Sequence, residues 1–144
     1  MNIFISACLL GCPCRYDGNS KPHPDALALA GKHTLIPFCP ECYGGLPTPR
    51  KPAEIMGSFV RTKDGEDVTL QYRRGAFLAL EMYRLTGCST AILKENSPSC
   101  GCGKIYDGTH TGTLTEGNGV TASLFLENGI PVMGESEIRK NFDL

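Results

Sequence analysis

Short apolar runs recur along the chain, and polar segments rich in turn residues separate them. Continuous runs occupy residues 2–6, 34–38 and 90–93, and a shorter one occupies residues 130–133. Apolar runs of this length, bounded by turn signals, are typical of buried strands in a parallel sheet. We therefore predict four strands, of which the first is central in the sheet.

Helical periodicity appears between these runs. Residues 68–85 carry apolar positions at helical spacing, which predicts the main helix of the fold. The stripe consists of Tyr72, Ala76, Leu80 and Tyr83. Shorter helices are predicted over residues 24–30 and 120–127. Strands that alternate with helices imply an α/β fold, here a single three-layer Rossmann-like domain over residues 1–144 with a small, mostly parallel sheet.

Two further segments stand outside this alternation. Asp64-Gly65 lies between short apolar stretches, which is a signal for a β-hairpin. Residues 105–114 are rich in turn residues and follow a cysteine-bearing loop. We expect this second segment to form a flap over a functional site.

Composition excludes several classes of function. The chain has 144 residues, of which 41% are hydrophobic and 20% charged, and its formal net charge is -1. This balance gives no signal for a basic nucleic-acid-binding face. No apolar run approaches the roughly 18 residues that a membrane span needs, so we expect neither a nucleic acid nor a membrane as partner.

The chain contains eight cysteines, a high count for its length. Secretion with disulfide bonds would be one explanation. However, the first apolar run is short for a signal peptide, and no Lys or Arg precedes it. We therefore expect a cytoplasmic protein, in which clustered thiols indicate metal or redox chemistry.

Cys8, Cys39 and Cys100 each lie just past the end of a predicted strand. Ligands bind outside the carboxyl ends of parallel strands, so these thiols are expected to meet. They fit either zinc, with a fourth thiolate, or an iron–sulfur cluster with one iron left open. The candidates for a fourth thiolate are Cys12, Cys14, Cys42 and Cys102. Cys88 precedes its strand and is expected at the opposite end.

Cys39-Pro40-Glu41-Cys42 also has the spacing of a thioredoxin-type redox motif. That chemistry requires a helix to begin at the motif, because the helix N-terminus stabilises the thiolate. Gly44, Gly45, Pro47 and Pro49 follow within a few residues and argue against such a helix. We therefore favour a metal centre over a redox dithiol.

Several motifs together resemble those of the thiouracil desulfidase family, a small bacterial family formerly of unknown function. The resemblance extends over nearly the whole chain, in order and without large gaps. The motifs are Ser6-Ala7-Cys8-Leu9-Leu10-Gly11, Cys14-Arg15-Tyr16-Asp17-Gly18, Cys39-Pro40-Glu41, Gly44-Gly45-Leu46-Pro47-Thr48-Pro49-Arg50, Ser97-Pro98-Ser99-Cys100-Gly101 and Gly119-Val120-Thr121-Ala122. As a set they are specific, although each alone would be a weak signal.

The resemblance implies a [4Fe-4S] cluster held by Cys8, Cys39 and Cys100, with its fourth iron free for a substrate sulfur. It places the catalytic groups at Glu41 and Ser97. The implied reaction replaces C=S of a small thiolated nucleobase by C=O, using water and releasing sulfide. In that reaction Glu41 would act as acid or base, and Ser97 would orient the ring or the water.

Each of these roles has an alternative. Glu41 is also placed to form a structural ion pair with Arg50, and Ser97 is also a good turn residue before Pro98. Cys12, Cys42 and Cys102 lie outside the family motifs, and Glu95-Asn96 replaces a commoner Ser-Arg type pair. These extra thiols keep a second hypothesis open, that of a non-catalytic zinc or thiol module.

Overall fold

A computed structural model describes all residues from Met1 to Leu144. Its strands and helices alternate as the sequence predicts. The strands are β1 (Asn2–Ser6), β2 (Thr34–Phe38), β3 (Ala53–Met56), β4 (Phe59–Thr62), β5 (Thr90–Ile92), β6 (Lys104–Tyr106), β7 (Leu114–Glu116) and β8 (Val132–Met133). The helices are α1 (Pro24–Leu29), α2 (Pro40–Tyr43), α3 (Thr69–Leu85), α4 (Val120–Glu127) and α5 (Ile138–Asn141).

The main sheet has four parallel strands in the order β2-β1-β5-β8. Phe4 of β1 lies opposite Ile36 of β2 on one side and Ala91 of β5 on the other. The expectation that the first strand is central is therefore confirmed. As a result, the carboxyl ends of β2, β1 and β5 are adjacent at one edge of the sheet.

β2 differs from the prediction of a buried strand. It is the edge strand, and of its residues only Phe38 is buried. Pro37 is the sequence signal for this position, because proline cannot donate to a ladder and is tolerated at sheet edges. A run of apolar residues alone does not distinguish a central strand from an edge strand that is covered on one face.

Helices cover both faces of the sheet, which confirms the predicted three-layer arrangement. On one face, Phe4 packs edge-on against Phe125 of α4, with the ring centroids 5.2 Å apart, and lies near Tyr83 of α3. On the other face, Ile3 and Ile5 belong to a cluster with residues of α1 and the α5 region. β1 thus forms the centre of both apolar cores.

The apolar stripe of α3 is buried as predicted, with every member less than 10% exposed. Gly75 lies beside this stripe and is also buried, and glycine is required there for a steric reason. A Cβ atom at Gly75 would collide with the carbonyl of Pro40, and one at Gly44 would collide with the carbonyl of Gln71. These two glycines let α2 pack directly on α3, and that contact fixes the loop that carries Cys39.

Two antiparallel hairpins complete the fold. β4 turns at Asp64-Gly65 as predicted, and Val68 N donates to the Val60 carbonyl across that turn. The regular partner of β4, however, is β3, which the sequence did not indicate. The β6–β7 hairpin corresponds to the predicted flap. No helix combines the length and the apolar composition needed to span a bilayer.

Candidate active site

A cavity of about 390 Å³ lies at the carboxyl ends of β1, β2 and β5. Cys8, Cys39 and Cys100 all line it, together with Glu41 and Ser97. The five residues predicted for the site therefore meet in one place. Cys14 lines the same cavity, whereas Cys12, Cys42, Cys88 and Cys102 do not.

The thiols at the cavity are shielded from solvent to different degrees. Cys8 and Cys100 are 7% and 4% exposed, while Cys39 and Cys14 are partly buried. Burial raises the pKa of Cys100 to about 12. The pKa of Cys39 is also raised, first by its hydrogen bond with Cys14 and then by burial. Cys39 and Cys100 are therefore neutral thiols when no metal is bound, and binding a metal would require both to lose their protons.

The Cys39–Cys42 segment corrects one prediction. α2 begins directly after Cys39, which occupies the N-cap position, so the argument that the following glycines and prolines prevent a helix was wrong. The helix has only one turn, because Gly44 and Gly45 follow its four residues. The preference for a metal centre rests instead on the position of Cys39, which lines one cavity together with Cys8 and Cys100.

Glu41 forms the centre of a hydrogen-bond network beside the thiols. Its Oε1 accepts from Arg50 Nε at 3.0 Å, and its Oε2 accepts from Ser99 Oγ at 2.9 Å. The Tyr72 side chain lies beside the same carboxylate. Burial, followed by the charge of Glu41, raises the pKa of Tyr72, so its hydroxyl stays protonated. The sequence alternative of an ion pair between Glu41 and Arg50 is thus present in the structure.

Arg50 also connects the first two cysteine loops. Its Nη2 donates to the Cys14 carbonyl at 2.8 Å, and its Nη1 donates to Pro47 O and Thr48 Oγ1. The Arg50 backbone amide donates to the Tyr16 carbonyl at 2.7 Å. Because the guanidinium fork contacts several acceptors at fixed angles, it positions Glu41 relative to the loop that carries Cys14.

Ser97 and Ser99 organise the third cysteine loop. Ser97 Oγ accepts from the backbone amides of Ser99 and Cys100 at 3.2 and 3.1 Å, which is the turn role that the sequence allowed. It also lies 3.0 Å from Ser99 Oγ. Ser99 is 2% exposed and connects Ser97 to Glu41. The sequence reading missed this residue, although it lies within the motif that carries Ser97.

The amino end of α4 holds this third loop in place. Val120 N donates to the Pro98 carbonyl at 2.9 Å, and Thr121 N donates to the Ser99 carbonyl at 2.8 Å. Helix amides that lack an intrahelical partner are thus satisfied by the loop. A Cβ atom at Gly119 would lie 2.5 Å from the Ser99 carbonyl carbon, so only glycine allows this approach.

Sequence comparison decides the family. A family model described as 2-thiouracil desulfurase matches residues 3–137. The chain belongs to the 2-thiouracil desulfurase family. The resemblance stated from the sequence motifs is confirmed.

Two known proteins are similar to this member of the 2-thiouracil desulfurase family. The uncharacterized protein YbbK of Bacillus subtilis (strain 168) is 41% identical over 146 residues, which cover 94% of this chain and 97% of YbbK. The solved structure of TudS, described as a [4Fe-4S]-dependent thiouracil desulfidase, is 48% identical. It superposes with a TM-score of 0.88 over 96% of this chain and 93% of TudS. The predicted α/β fold class is confirmed by this match.

The far wall of the desulfurase cavity is formed by the predicted flap and its neighbours. Tyr106, His110 and Gly112 line the cavity from the β6–β7 hairpin. Glu54 of β3 anchors the hairpin loop, because its Oε1 accepts from the backbone amides of Gly108 and His110 at 3.0 and 3.1 Å. The His110 side chain is largely buried beside Glu54.

The donor set fits the cofactor named for TudS. Cys8, Cys39 and Cys100 come from three adjacent strand ends and reach one cavity. Thiolates are the usual ligands of iron–sulfur clusters.

Proposed function

We propose that the chain is a [4Fe-4S]-dependent desulfidase that converts the C=S group of a thiouracil-like nucleobase to C=O and releases sulfide. The observation that carries the proposal is the convergence of Cys8, Cys39 and Cys100 with the Glu41–Ser99–Ser97 network at one cavity. The proposal treats residues 1–144 as one domain. None of the eight cysteines forms a disulfide, which supports placing the enzyme in the reducing cytoplasm.

Cys8, Cys39 and Cys100 would hold the cofactor. When bound, the cluster supplies an iron with an open position, a Lewis acid suited to a soft sulfur atom. The overall reaction consumes one water, which provides the carbonyl oxygen, and its two protons leave with the sulfide. The protein must therefore take protons from the water and deliver them to the departing sulfur.

Glu41 is the group that we assign to this proton transfer. Each carboxylate oxygen has more than one lone pair, so both can accept a water proton while they keep their present hydrogen bonds. Arg50 balances the negative charge of the carboxylate at 3.0 Å. Ser99 fixes Oε2, so the carboxylate keeps one orientation toward the cavity.

Ser97 extends this network toward the substrate. The Ser97 hydroxyl lies 3.0 Å from Ser99 Oγ and accepts hydrogen bonds from two backbone amides. The proton of the Ser97 hydroxyl is therefore free to point into the cavity or to Ser99. We assign Ser97 the role of orienting the ring or the attacking water. The Tyr72 hydroxyl lies near the same carboxylate, whose charge helps to raise the pKa of Tyr72 after burial.

Reconstitution under anaerobic conditions tests the proposal. With iron and sulfide added, the protein should bind about four irons per chain, as a single cubane cluster requires. It should then release sulfide from 2-thiouracil and form uracil that carries oxygen from labelled water. Substitution of Cys8, Cys39 or Cys100 by Ser should abolish both iron binding and activity.

Cys12→Ser is the matched control, because Cys12 is exposed and does not line the cavity. It should retain iron and activity. Iron binding that persists in the Cys39→Ser variant, or a wild-type protein that binds no iron, would contradict the ligand assignment. Loss of metal only when Cys12, Cys42 and Cys102 are replaced together would support the zinc module instead.

A further inference from the structure

Asn96 differs from the other polar residues in the segment 94–99, which lines the cavity. The carboxamide of Asn96 forms no hydrogen bond within the protein, although the residue is partly buried and lines the cavity. The other polar side chains of the segment are all bonded to protein groups; they belong to Lys94, Glu95, Ser97 and Ser99. The Asn96 carboxamide is therefore the one side chain of the segment that offers the cavity an unpaired N–H donor beside an unpaired C=O acceptor.

The backbone of Asn96 is held in one conformation. Its φ angle is 68°, in the left-handed region that few residues other than glycine adopt. On the preceding side, Lys94 N donates to Ser6 Oγ at 2.8 Å, and Glu95 N donates to Glu135 Oε1 at 2.7 Å. On the other side, Asn96 forms a bridge with Ile105 of β6. The free carboxamide is thus presented from a rigid support.

The chemistry of a carboxamide matches one edge of the proposed substrate. A primary amide carries an N–H donor beside a C=O acceptor. In 2-thiouracil, the N3–H donor lies next to the C4=O acceptor, so the two groups pair through two parallel hydrogen bonds. We propose that Asn96 recognises this N–H/C=O edge of the pyrimidine ring and so selects thiolated bases that are unsubstituted at N3. This inference rests on the proposed function.

Recognition of this kind has a consequence for selectivity. A ring that is methylated at N3 lacks the donor, and binding it would leave the amide oxygen of Asn96 unpaired in a partly buried site. The wild-type enzyme should therefore prefer 2-thiouracil over 3-methyl-2-thiouracil. That preference should depend on the Asn96 side chain.

The substitution Asn96→Gly separates recognition from backbone strain. Glycine adopts a φ of 68° more easily than asparagine, so the fold and the iron content should be retained. In reconstituted holoenzyme, kcat/KM for 2-thiouracil should fall about 10- to 100-fold, mainly through KM, as expected for lost binding contacts. The preference over 3-methyl-2-thiouracil should fall by a similar factor.

Asn96→Asp is the second variant, because aspartate also tolerates the left-handed region. It keeps the shape of the side chain but replaces the N–H donor by an acceptor that faces C4=O. We expect a loss at least as large as that of Asn96→Gly. Competitive inhibition by uracil, which has the same edge but no sulfur, should weaken in parallel in both variants.

Three results would overturn the inference. These are unchanged kinetics in Asn96→Gly, an equal loss for both substrates, or a loss of bound iron that accompanies the loss of rate. Each would assign Asn96 a conformational role or none. A wild-type holoenzyme that releases no sulfide from either compound would instead overturn the proposed function, and the inference with it.

Discussion

The cysteine loops that follow β2 and β5 reach the same cavity but are held there by different means. Besides the packing of α2 on α3, the loop after β2 is held by the Arg50 side chain, which contacts Glu41, the Cys14 carbonyl and the Pro47 carbonyl. Besides the turn at Ser97, the loop after β5 is held by backbone groups, because the first amides of α4 donate to the carbonyls of Pro98 and Ser99.

This difference determines how each loop can be disturbed. Contacts made by a side chain are lost when that side chain is truncated. Hydrogen bonds between backbone groups survive truncation, and only added atoms can separate the helix from the loop. We therefore expect the loop after β2 to be sensitive to the loss of Arg50, and the loop after β5 to be sensitive to the replacement of Gly119.

The largest effect is expected from Arg50→Ala. The Arg50 side chain is 6% exposed and that of Glu41 12%, so the substitution leaves a shielded carboxylate without its partner. Breaking a buried pair in this way lowers the free energy of unfolding by about 3–4 kcal/mol. Urea denaturation of the apoprotein measures this change, and iron analysis after reconstitution should show reduced occupancy.

Lys51→Ala is the control for this experiment. Lys51 is adjacent in sequence and pairs with Asp64, but both side chains are more than half exposed. Solvent screens exposed pairs, so Lys51→Ala should lower the free energy of unfolding much less than Arg50→Ala. Equal destabilisation by the two substitutions would show that Arg50 is only a surface ion pair.

Gly119→Ala should have the next largest effect. The added Cβ would lie 2.5 Å from the Ser99 carbonyl carbon, and both sides of this contact are backbone. Overpacking of this kind lowers the free energy of unfolding by about 2–3 kcal/mol. Because the loop carries Cys100, iron binding should fall as well. Gly31→Ala is the matched control, since its Cβ would have no neighbour closer than 4.0 Å. A normal melting temperature for Gly119→Ala would show that the backbone contact between α4 and the loop does not hold the loop in place.

Ser99→Ala tests the connection between the two loops. Ser99 Oγ donates to Glu41 Oε2 at 2.9 Å, so its removal should lower kcat about tenfold through the altered orientation of Glu41, an effect of about 1.4 kcal/mol. Ser99→Thr should restore much of the rate. In a Glu41→Gln background the same substitution should cost little, and full additivity in this double-mutant cycle would contradict a role through Glu41.

The smallest effect is expected at Thr121, which lies in α4, the helix whose first amides hold the loop after β5. Its Oγ1 is buried and has no hydrogen-bond partner. Thr121→Val keeps the shape of the side chain and removes the unpaired hydroxyl, which should raise the free energy of unfolding by about 1 kcal/mol. Destabilisation in urea would mean that this hydroxyl has a bonding partner in solution.

The sequence predicted the elements that depend on local patterns. Apolar runs predicted β1 and β5, and helical spacing predicted α3. The position of Cys8, Cys39 and Cys100 directly after strands predicted that these three thiols meet at one edge of the sheet. These inferences are sound because parallel strands bring their carboxyl ends to one edge whatever the intervening chain does. The confirmed fold class rests on these patterns, whereas the confirmed family rests on the set of motifs in and beside the cysteine loops.

The sequence did not predict features that depend on contacts between distant segments. Pro37 marks an edge strand only once the strand order is known, and the short helix α2 forms because Gly44 and Gly75 let it pack on α3. The bridging position of Ser99 likewise depends on Glu41, a residue far away in the chain. Loop geometry of this kind has no periodic signal in the sequence.

The central position of β1 has a consequence for folding kinetics. β1 ends at Ser6, yet one of its two neighbours, β5, begins only at Thr90, more than eighty residues further along the chain. Until that part of the chain is available, the most apolar strand of the sheet has an unpaired edge. Contacts of such large sequence separation slow folding, and an exposed apolar edge promotes aggregation. The rate at which β5 pairs with β1 should therefore determine how much of the newly made protein reaches the folded state that can accept iron.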